Sequence, residues 1–138
     1  MRLQFVFVGE HRSRTAIRLG VTWRDGRLSA KTLAQALLRL GLSYDREYVV
    51  VNAYHDPEPW IFYRWEDHRM EDLEALEFCK LALQEGTTII SLGSISIAAL
   101  QRHRIPHRCM IHPAARGAIR ARAAYYAHVQ QVLGLEEA

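Results

Sequence analysis

The chain has 138 residues, a length suited to one compact domain, and 49% of them are hydrophobic, enough to fill a single core. The net charge of +3 is unevenly spread: no carboxylate falls between Glu85 and Glu136, where Arg102, Arg104, Arg108, Arg116, Arg120 and Arg122 all lie, and Arg12, Arg14, Arg18, Arg24 and Arg27 form a second basic run, the pattern of a surface that faces a polyanion or, in part, of a GC-rich genome that favours arginine over lysine. Cys79 and Cys109 are too few for a disulfide framework, and no apolar run has signal-peptide character or membrane-spanning length, so a cytoplasmic protein without membrane contact is expected.

In chain order, "LQFVFV" is a β-branched and aromatic run that predicts a buried strand ending at Gly9. A loop rich in arginine and glycine follows. "SAKTLAQALLRLGL" predicts a helix with Ser29 as N-cap, apolar positions at Leu33, Ala36, Leu37 and Leu40, and Gly41 as its stop. "EYVVVNAY" is the second strand, broken after Asn52 by the turn formers of "HDPEP". The aromatic piece "WIFYRW", Trp60 to Trp65, fits a loop or a short strand equally well. Glu71, Asp72 and Glu74 suit the first turn of a helix through Gln84, with Leu73, Leu76, Lys80 and Leu83 at helical spacing and Gly86 closing it. "TTIISL" gives a third strand ending at Gly93, a short helix spans Ser94 to Arg102, "HRCMI" gives a fourth strand ending at His112, and a last helix runs from about Gly117 to Leu133.

Strands alternating with helices imply a parallel sheet covered on both faces, an α/β fold in which ligands bind beyond the carboxyl ends of the strands. That rule selects Gly9 and Glu10, Asn52, Gly93 and Ser94, and His112. Several chemistries lose their markers. Cys109 and His112 would point to opposite sides of a strand, and Pro106 separates His103 from His107, so the spacings argue against a metal site. No G-x-S-x-G elbow, Walker loop or G-x-G-x-x-G occurs, and the two lysines, Lys31 and Lys80, lie in predicted helices, which disfavours Schiff-base chemistry. What remains is an amide, an imidazole and an aromatic ring. An Asn52 amide can read one edge of a base, Trp23 can stack on its face, and His112 can donate to an oxygen that becomes anionic. Each residue also has a plain alternative: Asn52 as a turn cap, Trp23 as core, His112 as a structural histidine.

The blocks "VGE", "GVTWRDGRLSAKTLAQALLRLGL", "VVVNAYH", "EALEFCKLAL", "TTIISLGSIS" and "MIHPAARGAIR" resemble, in order, those of the uracil-DNA glycosylase superfamily, especially its bacterial iron-sulfur family, from about Phe5 to Tyr126. The resemblance implies a single uracil-DNA glycosylase-like domain over residues 1–138, a three-layer α/β/α sandwich on a four-stranded parallel sheet. It matches Gly9 and Glu10 to the opening of the first motif, whose backbone lines the base pocket, with Glu10 contacting water or ribose. Trp23 stands where the family has a phenylalanine that stacks on uracil, Asn52 matches the asparagine on the base edge, and His112 with Pro113 matches the His-Pro that supports departure of the base anion. Ser94, Arg116, Gly117, Arg120 and Arg122 are then expected to hold phosphates, with a helix N-terminus at Gly117 favouring an anion. Two cysteines cannot supply the family's four-cysteine cluster, so no cofactor is expected, and "HRSRT" replaces the acidic residues that follow Gly-Glu in the family.

The expected function is a monofunctional glycosylase that hydrolyses the N-glycosidic bond of uracil or a related deaminated base in DNA. Its expected partner is DNA, single strands included, or a free nucleobase or nucleotide. The alternative is a non-catalytic nucleotide or nucleic-acid binding module that retains the glycosylase fold, and a small-molecule enzyme on a generic α/β sheet is a third class.

Overall fold

The computed structural model describes residues 2–58, 70–115, 117, 119 and 121–135. The elements, in order, are β1 (Phe5–Gly9), α1 (Arg14–Leu19), a 3-10 turn (Trp23–Asp25), α2 (Ser29–Arg39), β2 (Tyr48–Asn52), α3 (Leu73–Gln84), β3 (Thr88–Leu92), α4 (Ser94–Arg102), β4 (Arg108–Met110) and α5 (Arg122–Leu133). The aromatic segment Trp60 to Trp65 lies outside the described residues, as do Arg116 and Arg120.

Among the described residues the four strands pair in parallel, and the sheet order is β2-β1-β3-β4. β1 is therefore an inner strand, which is why "FVFVG" is buried at every position and shows no polar alternation. Its residues nonetheless divide between the faces. Phe5 and Phe7 join Leu33 and Leu37 of α2 and Tyr125 and Val129 of α5 in one apolar cluster. Val6 and Val8 join Leu76 and Cys79 of α3 and Ala99 and Leu100 of α4 in the other. Helices thus cover both faces of the sheet, an arrangement compatible with a three-layer sandwich, and each fully buried side chain of this size contributes roughly 1.5 to 3 kcal/mol to the two cores.

The expected order of strands and long helices is present, with four local differences. The segment expected as loop after the first strand contains α1 and the 3-10 turn. Ser13 caps α1 through its hydroxyl and Gly20 ends it in the left-handed region, yet no α1 residue is buried, so the helix has no apolar stripe for a periodicity to reveal. Ser29 is the first residue of α2, and Leu28 at φ 59° takes the cap position. The buried stripe of α3 is Leu76, Cys79 and Ala82, while Leu73, expected on it, is 64% exposed at the first turn. The last helix begins at Arg122; Gly117 precedes it with φ +95°, so the helix N-terminus expected there is absent and its reason for holding an anion goes with it.

Asp72 caps α3, its side chain accepting from the Ala75 N–H at 3.1 Å. Asp72→Ala is expected to cost about 1 kcal/mol of stability, measured by urea denaturation at neutral pH, because one N–H of the first turn loses its partner. No helix among the described residues is long and apolar enough to cross a membrane.

Candidate functional site

Because β2 and β3 lie on opposite sides of β1, the chain changes winding direction at the β1/β3 boundary, and the carboxyl ends there form the natural crevice of such a sheet. The register makes this concrete. Gly9 is paired with Asn52 at the end of β1 and β2, and the Gly93 N–H donates to the Met110 carbonyl at 3.0 Å as β3 and β4 end. Two glycines allow close approach at this rim. A Cβ on Gly9 would lie 2.6 Å from Asn52 Oδ1 and 3.1 Å from Trp23 Cζ2, and one on Gly93 would lie 3.4 Å from His112 Cβ.

Trp23 is delivered by the loop between β1 and α2. The 3-10 turn is pinned by the Thr22 N–H donating to Asp25 Oδ2 at 2.7 Å, and Gly26 closes it in the left-handed region. Arg12 ties the same loop to the chain beyond β2: its backbone N–H and its Nε each donate to the Asp56 carboxylate at 2.8 Å, while Nη1 reaches the Val21 carbonyl at 3.3 Å. Part of "HRSRT" therefore holds the loop, through Arg12 and the Ser13 cap.

The half-buried Trp23 indole touches both other members of the expected trio. Nε1–H donates to Asn52 Oδ1 at 3.0 Å, and the ring centroid lies 5.9 Å from that of His112, at an interplanar angle of 59°. The three side chains converge, and the flat ring they converge on is the protein's own. Among the described residues, three cavities lie along the rim. One of about 580 Å³ is lined by Asn52 and Trp23 together with Tyr44, Asp56 and Asp72. One of about 240 Å³ is lined by Trp23, Glu10, Arg27 and His112. One of about 390 Å³ is lined by His112, Ser94, Gly93 and His128. Trp23 divides the first from the second, and His112 divides the second from the third.

His112 has a defined protonation pattern. The Ala114 backbone N–H donates to its Nδ1 at 3.0 Å, so Nδ1 is unprotonated and the neutral ring carries its hydrogen on Nε2. Burial holds its pKa below the ordinary histidine value, which keeps the ring neutral at pH 7. The stretch before it is gripped by α5: His128 Nε2 accepts from the Ile111 N–H at 2.9 Å, and the Tyr125 hydroxyl donates to the Ile111 carbonyl at 2.9 Å. Burial also raises the Tyr125 pKa, so its hydroxyl remains a donor, and lowers that of His128, so its ring remains an acceptor. Tyr125 and His128 were not among the expected site residues. Their spacing of one helical turn is visible in sequence, but nothing in it names the peptide they grip.

Both histidines have native pKa values depressed below their unfolded value of about 6.5. Between the two values the unfolded chain binds more protons, so stability is expected to be full above about pH 6.5 and to fall as the pH drops through the native values. A ¹H–¹⁵N titration of the imidazoles checks this, with both midpoints expected below 6.5.

The remaining expected residues divide. Glu10 and Ser94 line the rim cavities beside His112. Arg122 is exposed and lines a separate groove of about 250 Å³ between α2 and α5, with Arg39 and Tyr126. A Cβ on Gly117 would meet nothing within 4 Å. Of the two cysteines, Cys79 is buried in α3 with its thiol pushed up to about 12 by desolvation, and Cys109 is exposed on β4. No protein-family model matches the chain, and no curated protein is significantly similar to it.

Proposed function

We propose that the protein has a uracil-DNA glycosylase-like fold and hydrolyses the N-glycosidic bond of uracil or a related deaminated base in DNA. The observation that carries this reading is His112: an imidazole whose Nδ1 accepts from the Ala114 N–H, which leaves Nε2 to donate, at the carboxyl rim of the sheet, against an aromatic ring that itself bonds an asparagine amide. A donor of that kind suits a leaving group that becomes anionic.

In this mechanism the bond between C1′ of the sugar and the base nitrogen breaks, and its electron pair passes to the base. Charge then builds on the pyrimidine O2, where Nε2–H of His112 donates to it; one such donor is worth roughly 3 to 4 kcal/mol in the transition state. Water adds to the oxocarbenium carbon, and its proton passes to the Glu10 carboxylate, which lines a cavity with His112. Asn52 reads the base edge, Trp23 stacks on its face at about 1 to 3 kcal/mol, and Gly9 leaves room for both. The sugar-phosphate runs past Ser94, with further phosphates for Arg116, Arg120 and Arg122.

The test is incubation of single- and double-stranded oligonucleotides containing deoxyuridine or hypoxanthine with excess protein, followed by alkaline cleavage at abasic sites. Strand scission at the modified position is expected; intact strands after exposure to folded protein would remove the proposal. The Trp23 to Asn52 bond favours a second reading, a module that binds a single strand without excising a base from it, because the resting indole engages the amide that an extruded base would need. That reading predicts salt-dependent binding without scission, and affinity unchanged in His112→Ala.

A further inference from the structure

Trp23 has the attributes of a bound base. Its indole is planar, offers one ring N–H to Asn52 Oδ1 at 3.0 Å, and lies over Gly9 so closely that a Cβ there would come within 3.1 Å of Cζ2 and 3.4 Å of Nε1. His112 stands beside it, ring centroids 5.9 Å apart and planes inclined at 59°. A heterocycle read by Asn52 and assisted by His112 needs the same three things: an amide oxygen for its ring N–H, a backbone surface without a Cβ, and an imidazole across from them. Indole and a dioxopyrimidine are close in area, so both cannot occupy the space between Asn52 and His112 together. Next to the indole lies the cavity of about 240 Å³, whose wall includes Ala16, Val21, Leu28 and Ala30. Those four residues make an apolar wall, with Glu10 and Arg27 also lining the cavity, and the space is large enough to accept a displaced ring.

We propose that Trp23 is a resident, displaceable occupant of the base slot. A planar heterocycle with a ring N–H beside a carbonyl, an imide or lactam, competes with the indole for Asn52 Oδ1 and drives it into the adjoining cavity, where its face becomes the stacking surface. The proposal rests on the base-binding reading above. A nucleoside whose free ring nitrogen carries a lone pair, N3 of deoxycytidine or N1 of deoxyadenosine, cannot replace the indole N–H as a donor to that oxygen and leaves the indole in place.

The test uses the full chain with ¹⁵N-labelled tryptophan, the Trp23 indole resonance being assigned from Trp23→Phe. In the free protein the Trp23 N–H is expected to exchange with solvent slowly, and Asn52→Ala, which keeps the ring and removes its acceptor, is expected to speed that exchange about tenfold. Saturation with uracil or deoxyuridine is expected to shift the resonance and speed its exchange, while deoxycytidine at the same concentration leaves it unmoved. Trp23→Phe, free of the competing bond, is expected to bind uracil about tenfold more tightly than the wild type. Rapid exchange in the free protein, or uracil binding that leaves the Trp23 resonance in place, overturns the proposal while the base-binding reading stands. Failure of uracil and deoxyuridine to bind either the wild type or Trp23→Phe defeats the base-binding reading and the proposal with it.

Discussion

His112→Ala is expected to slow base release by about a hundredfold to a thousandfold, the loss measured elsewhere when a single oxyanion donor is removed. The size follows from what the ring supplies. Its Nδ1 is committed to the Ala114 N–H, so Nε2–H is its one remaining donor, and burial disfavours the imidazolium. A neutral donor in a partly dry site interacts strongly with charge that appears only in the transition state, so the loss should fall on kcat more than on KM. Two controls separate this from misfolding: the thermal midpoint of the variant, and His112→Asn, whose amide N–H can restore part of the rate. The acid side of the pH–rate profile should show a midpoint below 6.5, since protonation of Nδ1 breaks its bond to the Ala114 N–H. A variant that releases base at the wild-type rate would remove the role assigned to His112.

Gly9→Ala is expected to destabilise the protein by about 1 to 3 kcal/mol and to abolish base binding. The added carbon would sit 2.6 Å from Asn52 Oδ1 and 3.1 Å from the Trp23 ring, so both must shift. The amide can rotate away, but that breaks its 3.0 Å bond to the indole, and the indole is held by the turn that carries it. Gly9 is also paired in register with Asn52, so its backbone cannot retreat without disturbing the junction of β1 and β2. Urea denaturation reads the stability, and the Trp23 indole resonance reads the broken bond. By contrast Gly20→Ala meets no atom within 4 Å, so its cost comes from the backbone conformation at φ +70° alone.

Much of this architecture is readable from pattern. "FVFVG" and "TTIISL" are apolar runs of strand length because inner strands of a parallel sheet have no wet face. α2 shows its buried side as Leu33, Ala36 and Leu37 because that side meets a flat apolar surface at helical spacing. The same rules placed Asn52 and Gly93 at strand ends. The short α1 escaped them because nothing in it is buried, and the start of α5 was set too early because "ARGAIRA" reads as helix-compatible while Gly117 adopts φ +95°. The candidate site was legible as positions and not as contacts. Strand-end logic puts Asn52 and His112 on one rim, but the bond from Trp23 to Asn52 joins residues on separate elements, and no local rule reaches across 29 positions. The grip of α5 on the Ile111 peptide was hidden for the same reason.

The two walls of the proposed base slot differ in how firmly the sheet secures them. Asn52 ends a five-residue strand aligned along its full length with the inner strand β1. β2 and β4 are both edge strands, but His112 follows β4, which has only three residues, two of them exposed, and the Ile111 peptide before it is held by Tyr125 and His128. Local opening should therefore begin on the histidine flank, and amide exchange should be faster at Cys109 than at Val51. The molecule is in effect a vice with one fixed jaw and one sprung jaw, and α5 is the spring: a load on that helix would reach the imidazole through the Ile111 peptide that it holds.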